Sequence, residues 1–184
     1  MGKKMNYYED KLSKFFDVAR GEQGITEELI YNNGGNLSVI SATTEDFEIF
    51  GKIKRELFVA KILNDVVLVV RVGNAGKCQY VKDECISTEN VLVLKVKEEY
   101  KKKISVKWFS IYINRILLNN AKGDPLGQRN ISKEIIDRIP VKIPKDTKFQ
   151  KNIVKKYEQL DEIQKYVLDV LANISELKNK IISE

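Results

Sequence analysis

The chain has 184 residues, of which 43% are apolar and 32% are charged, a composition typical of a globular domain with an accessory element. Its apolar runs fall short of the ~20 residues that a membrane span requires, so no membrane partner is expected. The charged N-terminus lacks the apolar segment of a secretory signal and predicts a cytoplasmic protein. The sequence contains no histidine. That removes the most common general base and the usual zinc ligand, and it lowers the expectation of catalysis.

The net charge of +6 is unevenly distributed. Residues 151–184 contain six Lys and six Asp or Glu residues, so the whole positive excess lies in the first 150 residues. A basic globular part with a neutral tail favours an anionic partner. A generally lysine-rich protein would show the same excess, and charge alone does not separate the two. Cys78 and Cys85 match no common zinc spacing, so we expect free thiols and no metal site.

Five short segments are rich in Val, Ile and aromatic residues and predict β-strands. They are Asn36–Ala42, Phe47–Ile53, Val66–Val72, Lys77–Val81 and Asn90–Val96. A packed helix is predicted over Ser105–Asn119, with Trp108, Ile111, Tyr112, Arg115 and Leu118 at helical spacing. A short helix over Ser132–Asp137 and an extended segment at residues 139–144 follow. The predicted fold class is α+β, a mixed-sheet domain followed by one long C-terminal coiled-coil helix.

The segment VVLVVRVGNAGKC, residues 66–78, superficially resembles a nucleotide-binding loop. A Walker loop needs four residues between its glycines and a Ser or Thr after the lysine. Here only Asn74 and Ala75 separate Gly73 from Gly76, and Cys78 stands in the hydroxyl position. The residues that follow are β-prone rather than helical. The segment is therefore interpreted as a β-hairpin, in which Gly and Asn supply the positive φ angles of a tight turn.

A heptad pattern runs through the C-terminal segment. Its apolar positions are Ile153, Leu160, Ile163, Val167, Val170, Ile174, Leu177 and Ile181. Spacings of three and four residues indicate a coiled-coil seam, although Lys156 occupies one seam position. A core helix folded back onto its own domain is the alternative. We expect a protruding helix over 151–181, and we place the boundary between a domain of residues 1–146 and a helical unit of residues 147–184.

The order of several segments resembles the target-recognition domain of type I restriction–modification specificity subunits, over nearly the whole chain. The segments are LSKFFDVARG (12–21), GIT (24–26), NLSVISATT (36–44), GKI (51–53), RVGNAGK (71–77), TENV (88–91), NISKEIIDRIPVKIP (130–144) and FQKNIV (149–154). The resemblance implies a non-catalytic subunit that reads double-stranded DNA. It also implies a partner methyltransferase subunit that carries S-adenosylmethionine, and a restriction subunit that joins for cleavage.

Polar loop residues supply the candidate DNA contacts, because Arg and Lys bind phosphate or guanine and Asn and Gln read adenine. The candidates are Thr43, Thr44, Lys52, Arg71, Asn74, Lys77, Lys122, Gln128, Arg129 and Asn130. Spacing alone does not show that these loops share a face.

Full-length subunits of this family have two recognition domains and two long antiparallel helices, whereas this sequence has one of each. The chain is either a natural half-subunit or a fragment. We expect two copies to pair through the heptad seam and to read a bipartite DNA site with two-fold symmetry. A coiled-coil adaptor without a DNA role is the main alternative, and a nuclease or NTPase is a third.

Overall fold

The computed structural model describes residues 5–42, 47–123 and 128–183, except for the side chains of residues 177 and 180–183. The strands are β1 (Tyr7–Lys11), β2 (Phe16–Arg20), β3 (Gly34–Ala42), β4 (Phe47–Ile53), β5 (Val66–Val70), β6 (Val72–Gly73), β7 (Cys78–Val81), β8 (Cys85–Ser87), β9 (Val91–Val96), β10 (Arg129–Asn130) and β11 (Pro140–Pro144). The helices are α1 (Leu12–Phe15), α2 (Glu27–Asn32), α3 (Val106–Asn120), α4 (Lys133–Asp137) and α5 (Thr147–Ser183). Short 3-10 segments lie at Arg55–Lys61 and Glu98–Tyr100.

Two sheets form the body of the domain. The larger has the order β2-β9-β5-β7, with every neighbouring pair antiparallel. The smaller has the order β4-β3-β8, in which β3 pairs antiparallel with β4 and parallel with β8. The predicted α+β class with a mixed sheet and a long C-terminal helix is confirmed. No helix of the described residues is both long and apolar enough to cross a membrane.

Strand β5 is buried on both of its faces, which explains its uninterrupted run of apolar residues. Because successive side chains point to opposite faces, Val67 and Val69 pack into the core that contains the helices. Val66 and Leu68 pack on the other side, against apolar residues such as Ile40 from the smaller sheet. The larger sheet is therefore the middle layer between the helices and the smaller sheet.

Helix α3 forms where it was predicted, and the Ser105 hydroxyl caps it by accepting from the Trp108 backbone N–H. Its most deeply buried face differs from the expected one. Arg115 is exposed, and Ile111, Tyr112 and Leu118 are only partly buried. The buried face is instead centred on Phe109, Ile113 and Leu117. The Phe109 ring stacks on Phe16 of β2, with ring centroids 4.1 Å apart, and this contact sets the rotation of the helix.

The predicted glycine hairpin is confirmed, with β5 and β7 paired from Val69–Cys78 to Val66–Val81. At its tip the backbone N–H of Val70 donates to the Lys77 carbonyl, and that of Gly76 donates to the Val70 carbonyl. Gly76 has φ +91°, and a Cβ there would lie 2.6 Å from the carbonyl oxygen of Leu117. The tip therefore lies directly against α3, which only glycine permits.

The root of α5 is fixed by a buried side-chain amide. The Gln150 Nε2 group donates to the carbonyls of Lys103 (3.0 Å) and Pro144 (2.7 Å), and its Oε1 accepts from the Ser105 N–H (2.7 Å). The residue is 0% exposed, so these three bonds lie in a dry environment. They join α5 to the start of α3 and to the end of β11.

Helix α5 starts at Thr147, four residues before the predicted helix start at residue 151. Asp146 caps it by accepting from the N–H groups of Lys148 and Phe149. Ile153 and Val154 pack on the domain core, and Glu158 pairs with Lys107 of α3. The 37 residues of the helix span about 55 Å at ~1.5 Å per residue, so most of its length projects beyond the domain.

We expect Gln150→Glu to destabilise the protein, because it removes two buried donors and sets a carboxylate against two carbonyl oxygens. Each group left unpaired costs about 1–3 kcal/mol. Burial raises the pKa of an introduced carboxyl above its unfolded value of about 4.3. The loss of stability therefore grows as the pH rises through that value and shrinks below it. Urea unfolding at several pH values measures this. The control is Gln164→Glu on the exposed part of α5, and equal effects of both variants would contradict the assignment.

We expect Gly76→Ala to cost about 2–5 kcal/mol of unfolding free energy, because it combines a positive φ with a clash against the α3 backbone. The matched control is Gly24→Ala. Gly24 also has a positive φ, of +74°, but its Cβ would meet nothing within 4 Å. The control should cost only the roughly 1–2 kcal/mol of the backbone conformation. The two midpoints of urea unfolding give the comparison, and similar losses would mean that the tip does not press on α3.

Candidate nucleic-acid interface

The turn of the glycine hairpin and a distant loop form one surface. After Val70 the chain leaves the larger sheet, and β6 pairs with β10 as Val72–Asn130 and Gly73–Arg129. The expected strand Val66–Val72 is thus interrupted at Arg71, because Val72 takes a different partner strand. Lys122 and Asn130 exchange both of their backbone hydrogen bonds, at 2.7 and 2.8 Å. We name residues 71–77, 122 and 128–130 the hairpin–loop surface.

Seven of the ten candidate DNA contacts lie on this surface. Asn74, Lys122, Gln128 and Asn130 are exposed, and Arg71, Lys77 and Arg129 are partly buried. The β6–β10 pairing brings residues more than fifty positions apart in the chain side by side. Loops that sequence spacing could not relate to each other therefore share one location.

Arg129 contributes to the scaffold of this surface. Its guanidinium donates to the carbonyls of Leu118 and Ala121, at the C-terminal end of α3. Those carbonyls lack partners within the helix, and a cationic donor there also interacts favourably with the negative end of the helix dipole. Its neighbour Asn130 points to solvent instead. Adjacent residues of β10 thus divide between holding the surface together and facing outward.

Arg71 lies beside an open cavity of about 430 Å³, which we name the Arg71 cavity. The backbone of Arg71 is fixed on both sides, because its N–H donates to the Asn90 carbonyl and its carbonyl accepts from the Ile131 N–H. Its Nε atom is buried and has no hydrogen-bond partner among the described residues. The polar residues that line the cavity are Arg20, Arg71, Asn130, Ser132, Lys133 and Glu134.

Sequence reasoning did not single out Arg20, Ser132, Lys133 or Glu134 as site residues. Arg20 reaches the cavity because β2 pairs with β9, which in turn pairs with β5. The one available signal was the position of Arg20 at the end of LSKFFDVARG, a segment that carries the family resemblance. Ser132 accepts from the Ile135 N–H and caps α4, as expected for the predicted short helix.

The remaining candidates lie elsewhere. Lys52 is exposed on β4, where it pairs with Ser38 of β3 in the smaller sheet. It is therefore on a different sheet from the hairpin–loop surface. Thr43 and Thr44 fall outside the described residues. The ten candidates thus do not form one continuous group along the described chain.

The two cysteines are free thiols, and Cys78 donates its S–H to the Ser110 carbonyl. Burial raises the pKa of the Cys78 thiol to about 12 and that of the Cys85 thiol to about 11. Both stay protonated at neutral pH and are poor nucleophiles and metal ligands. Across the described ranges, no group of three or more Cys, Asp or Glu side chains is arranged to bind a metal.

The heptad seam of α5 divides into two parts. Ile153 packs on the core of its own domain, which gives it an intramolecular role. Leu160, Ile163, Val167, Val170 and Ile174 are between 36% and 64% exposed, and we name these five the apolar stripe. Tyr166, Leu168 and Leu171 widen the apolar surface beside it. The side chains of Leu177 and Ile181 lie outside the described part of the helix.

Solved structures with a similar fold include two specificity subunits. The S subunit of a type I restriction–modification system from M. genitalium matches with a TM-score of 0.65 and 14% identity, over 88% of this chain and 41% of that one. The HsdS subunit from Thermoanaerobacter tengcongensis matches with a TM-score of 0.58 and 12% identity, over 88% and 39%. A structure of type I R-M complex assembly and conformational transition gives 0.59 and 14%, over 85% and 38%. The chain spans about two fifths of the length of these proteins.

Sequence comparison gives the family directly. No curated protein matches the chain. The model of the type I restriction modification DNA specificity domain matches residues 6–176, which include the sheets, the hairpin–loop surface and most of α5. The chain therefore belongs to the type I restriction–modification DNA specificity domain family.

Proposed function

We propose that this protein is the DNA-reading specificity subunit of a type I restriction–modification system, and that it directs a partner methyltransferase and a restriction subunit to their site. The observation that carries this proposal is the family match, which spans both the domain and the long helix. The chain itself has no catalytic role in this proposal. S-adenosylmethionine is bound by the methyltransferase subunit.

The hairpin–loop surface is the proposed DNA-contacting region. It combines exposed amides, Asn74, Gln128 and Asn130, with the cations Arg71, Lys77 and Lys122. Amides suit base edges and cations suit phosphates. The positive excess of the first 150 residues attracts duplex DNA before specific contacts form. Lys52 on the smaller sheet stays a proposed contact, and so do Thr43 and Thr44.

The apolar stripe of α5 is the proposed dimer contact. A helix with a row of exposed apolar residues is stable only when that row is covered. Antiparallel pairing of two copies covers it with an identical row and places two identical domains at opposite ends. Because the pair has two-fold symmetry, its DNA site is palindromic and interrupted. The widened apolar surface leaves room for a methyltransferase helix as well.

An adaptor that uses the apolar stripe alone, without binding DNA, is the second candidate. The exposed stripe supports the adaptor as much as the DNA-reading subunit, because both functions need a covered helix and the stripe does not itself indicate DNA binding. Binding to duplex DNA over a series of salt concentrations separates the two functions. Neutralised phosphates make the logarithm of affinity fall linearly with the logarithm of salt, whereas an adaptor binds no duplex with or without a methyltransferase.

The decisive experiment is co-expression with a type I methyltransferase subunit of the same organism, followed by mapping of methylated positions in the host DNA. We expect methylation at one palindromic, interrupted sequence. Without this chain the methyltransferase should leave that sequence unmodified. Methylation that does not depend on the chain contradicts the proposed function.

We expect Lys122→Ala to weaken binding to all duplexes by a similar factor and to reduce the salt slope by about one, as the loss of a phosphate contact does. Fluorescence anisotropy with labelled duplexes measures both quantities. The matched control is Lys165→Ala, which removes an exposed charge from α5 and should leave both unchanged. Equal effects of the two lysines would place the interface elsewhere.

We expect Val167→Asp to convert the dimer into a monomer, because it buries a carboxylate in the paired stripe. Light scattering should then give the chain mass of 21.2 kDa in place of twice that value. The control is Ala172→Asp, an exposed position five residues along the same helix and off the stripe, which should stay dimeric. A monomeric unsubstituted protein at micromolar concentration, or a dimeric Val167→Asp, contradicts the pairing.

A further inference from the structure

The Arg71 cavity is lined by a cation with one unpaired buried donor. The Nε atom of Arg71 is buried and has no hydrogen-bond partner among the described residues. A buried donor without a partner costs about 1–3 kcal/mol, and such groups call for an explanation in function or in a missing ligand. The fixed backbone of Arg71 prevents the residue from relieving this by moving outward as a whole.

The other cations at the cavity are already paired. Arg20 binds Glu89, with 3.0 Å between Nη2 and Oε2, and Lys133 binds Asp137. The partners Glu89 and Asp137 are not part of the cavity lining, whose neutral polar groups are Asn130 and Ser132. Glu134 is the acidic member of the lining. The lining itself thus contains three cationic side chains against one carboxylate, and this excess favours a small anion.

The geometry of the guanidinium indicates which class of anion the cavity binds. Its planar fork donates two parallel hydrogen bonds, a geometry that matches two oxygens of one phosphate group. Asn130 belongs both to the cavity lining and to the hairpin–loop surface, so the cavity opens beside the proposed DNA-contacting region. A duplex bound on that surface therefore has backbone phosphates near the cavity.

We propose that the Arg71 cavity binds one phosphate group of the DNA backbone, with Arg71 as its ligand and Asn130 and Ser132 beside it. This inference rests on the proposed DNA-binding function and deepens it. It assigns Arg71 to positioning the duplex rather than to reading a base, because phosphate contacts carry no sequence information.

The first test measures affinity for a random-sequence duplex over a series of salt concentrations. Arg71→Met should weaken binding about tenfold or more, by the same factor on every duplex, and lower the salt slope by about one. Glu134→Gln removes the acidic member of the same cavity and should tighten binding. Lys165→Met on α5 is the control and should change neither quantity. Arg71→Lys keeps the charge without the fork and should lie between Arg71→Met and the unsubstituted protein. It also serves if the Met variant does not fold.

The second test follows the Arg71 Nε–H signal by NMR during titration with inorganic phosphate. We expect a saturable shift with phosphate that chloride at equal ionic strength does not produce. This test measures phosphate binding at the cavity separately from duplex binding, so it distinguishes a cavity that binds no phosphate from a protein that binds no DNA.

Three results overturn the inference. The first is an Arg71 Nε–H signal whose chemical shift does not change when phosphate is added. The second is an Arg71→Met protein that binds duplexes as tightly as the unsubstituted protein. That result would mean that the cavity binds free phosphate at most and contributes no contact to DNA. The third is an Arg71→Met protein that changes preference between sequences, since that result assigns Arg71 to base reading.

Discussion

Two-sided burial of β5 is the constraint on which the rest of the domain depends. Val67 and Val69 face the helices while Val66 and Leu68 face the smaller sheet, so the strand can neither shift by one residue nor lie at an edge. Where this fixed strand ends, the chain must turn between two packed layers. The hairpin tip and the start of β6 are therefore held at one place, with Gly76 against α3.

The same scaffold fixes the direction of the long helix. The amide of Gln150 bonds at once to the segment before α3 and to the last residue of β11, and β11 is itself paired with β1. The helix thus leaves the domain from a dry, fully bonded root rather than from a linker. Any geometry that the helix imposes on an assembly is transmitted to the hairpin–loop surface through packed elements.

Local sequence patterns made much of this fold predictable, whereas the pairing of distant strands and the packing of helices did not follow from them. The hairpin and the long helix depend on nearby glycines and on regular spacing. The β6–β10 pairing joins residues 72 and 130, and nothing in either dipeptide identifies the other.

The buried face of α3 was also not predictable from its own sequence. Helix α3 has apolar residues on most of its circumference, so contact with Phe16 decided the buried face. Strand β1, with the sequence YYEDK, has no apolar alternation and exists because β11 pairs with it. Arg71 was predicted as a contact, but its neighbours from β2 and α4 depend on these tertiary choices.

The exposed part of α5 has a thermodynamic consequence for the protein as a whole. Beyond Glu158 its described side chains are exposed in the single chain, and a helix without tertiary contacts is only marginally stable in water. In the proposed dimer, order in this part of the helix is therefore coupled to association by mass action, so it rises with protein concentration and with the presence of partners. The domain and the outer helix then melt as two units with different concentration dependence. In the proposed dimer, the rigidity that separates the two domains is in that sense a property of the assembled complex rather than of the chain.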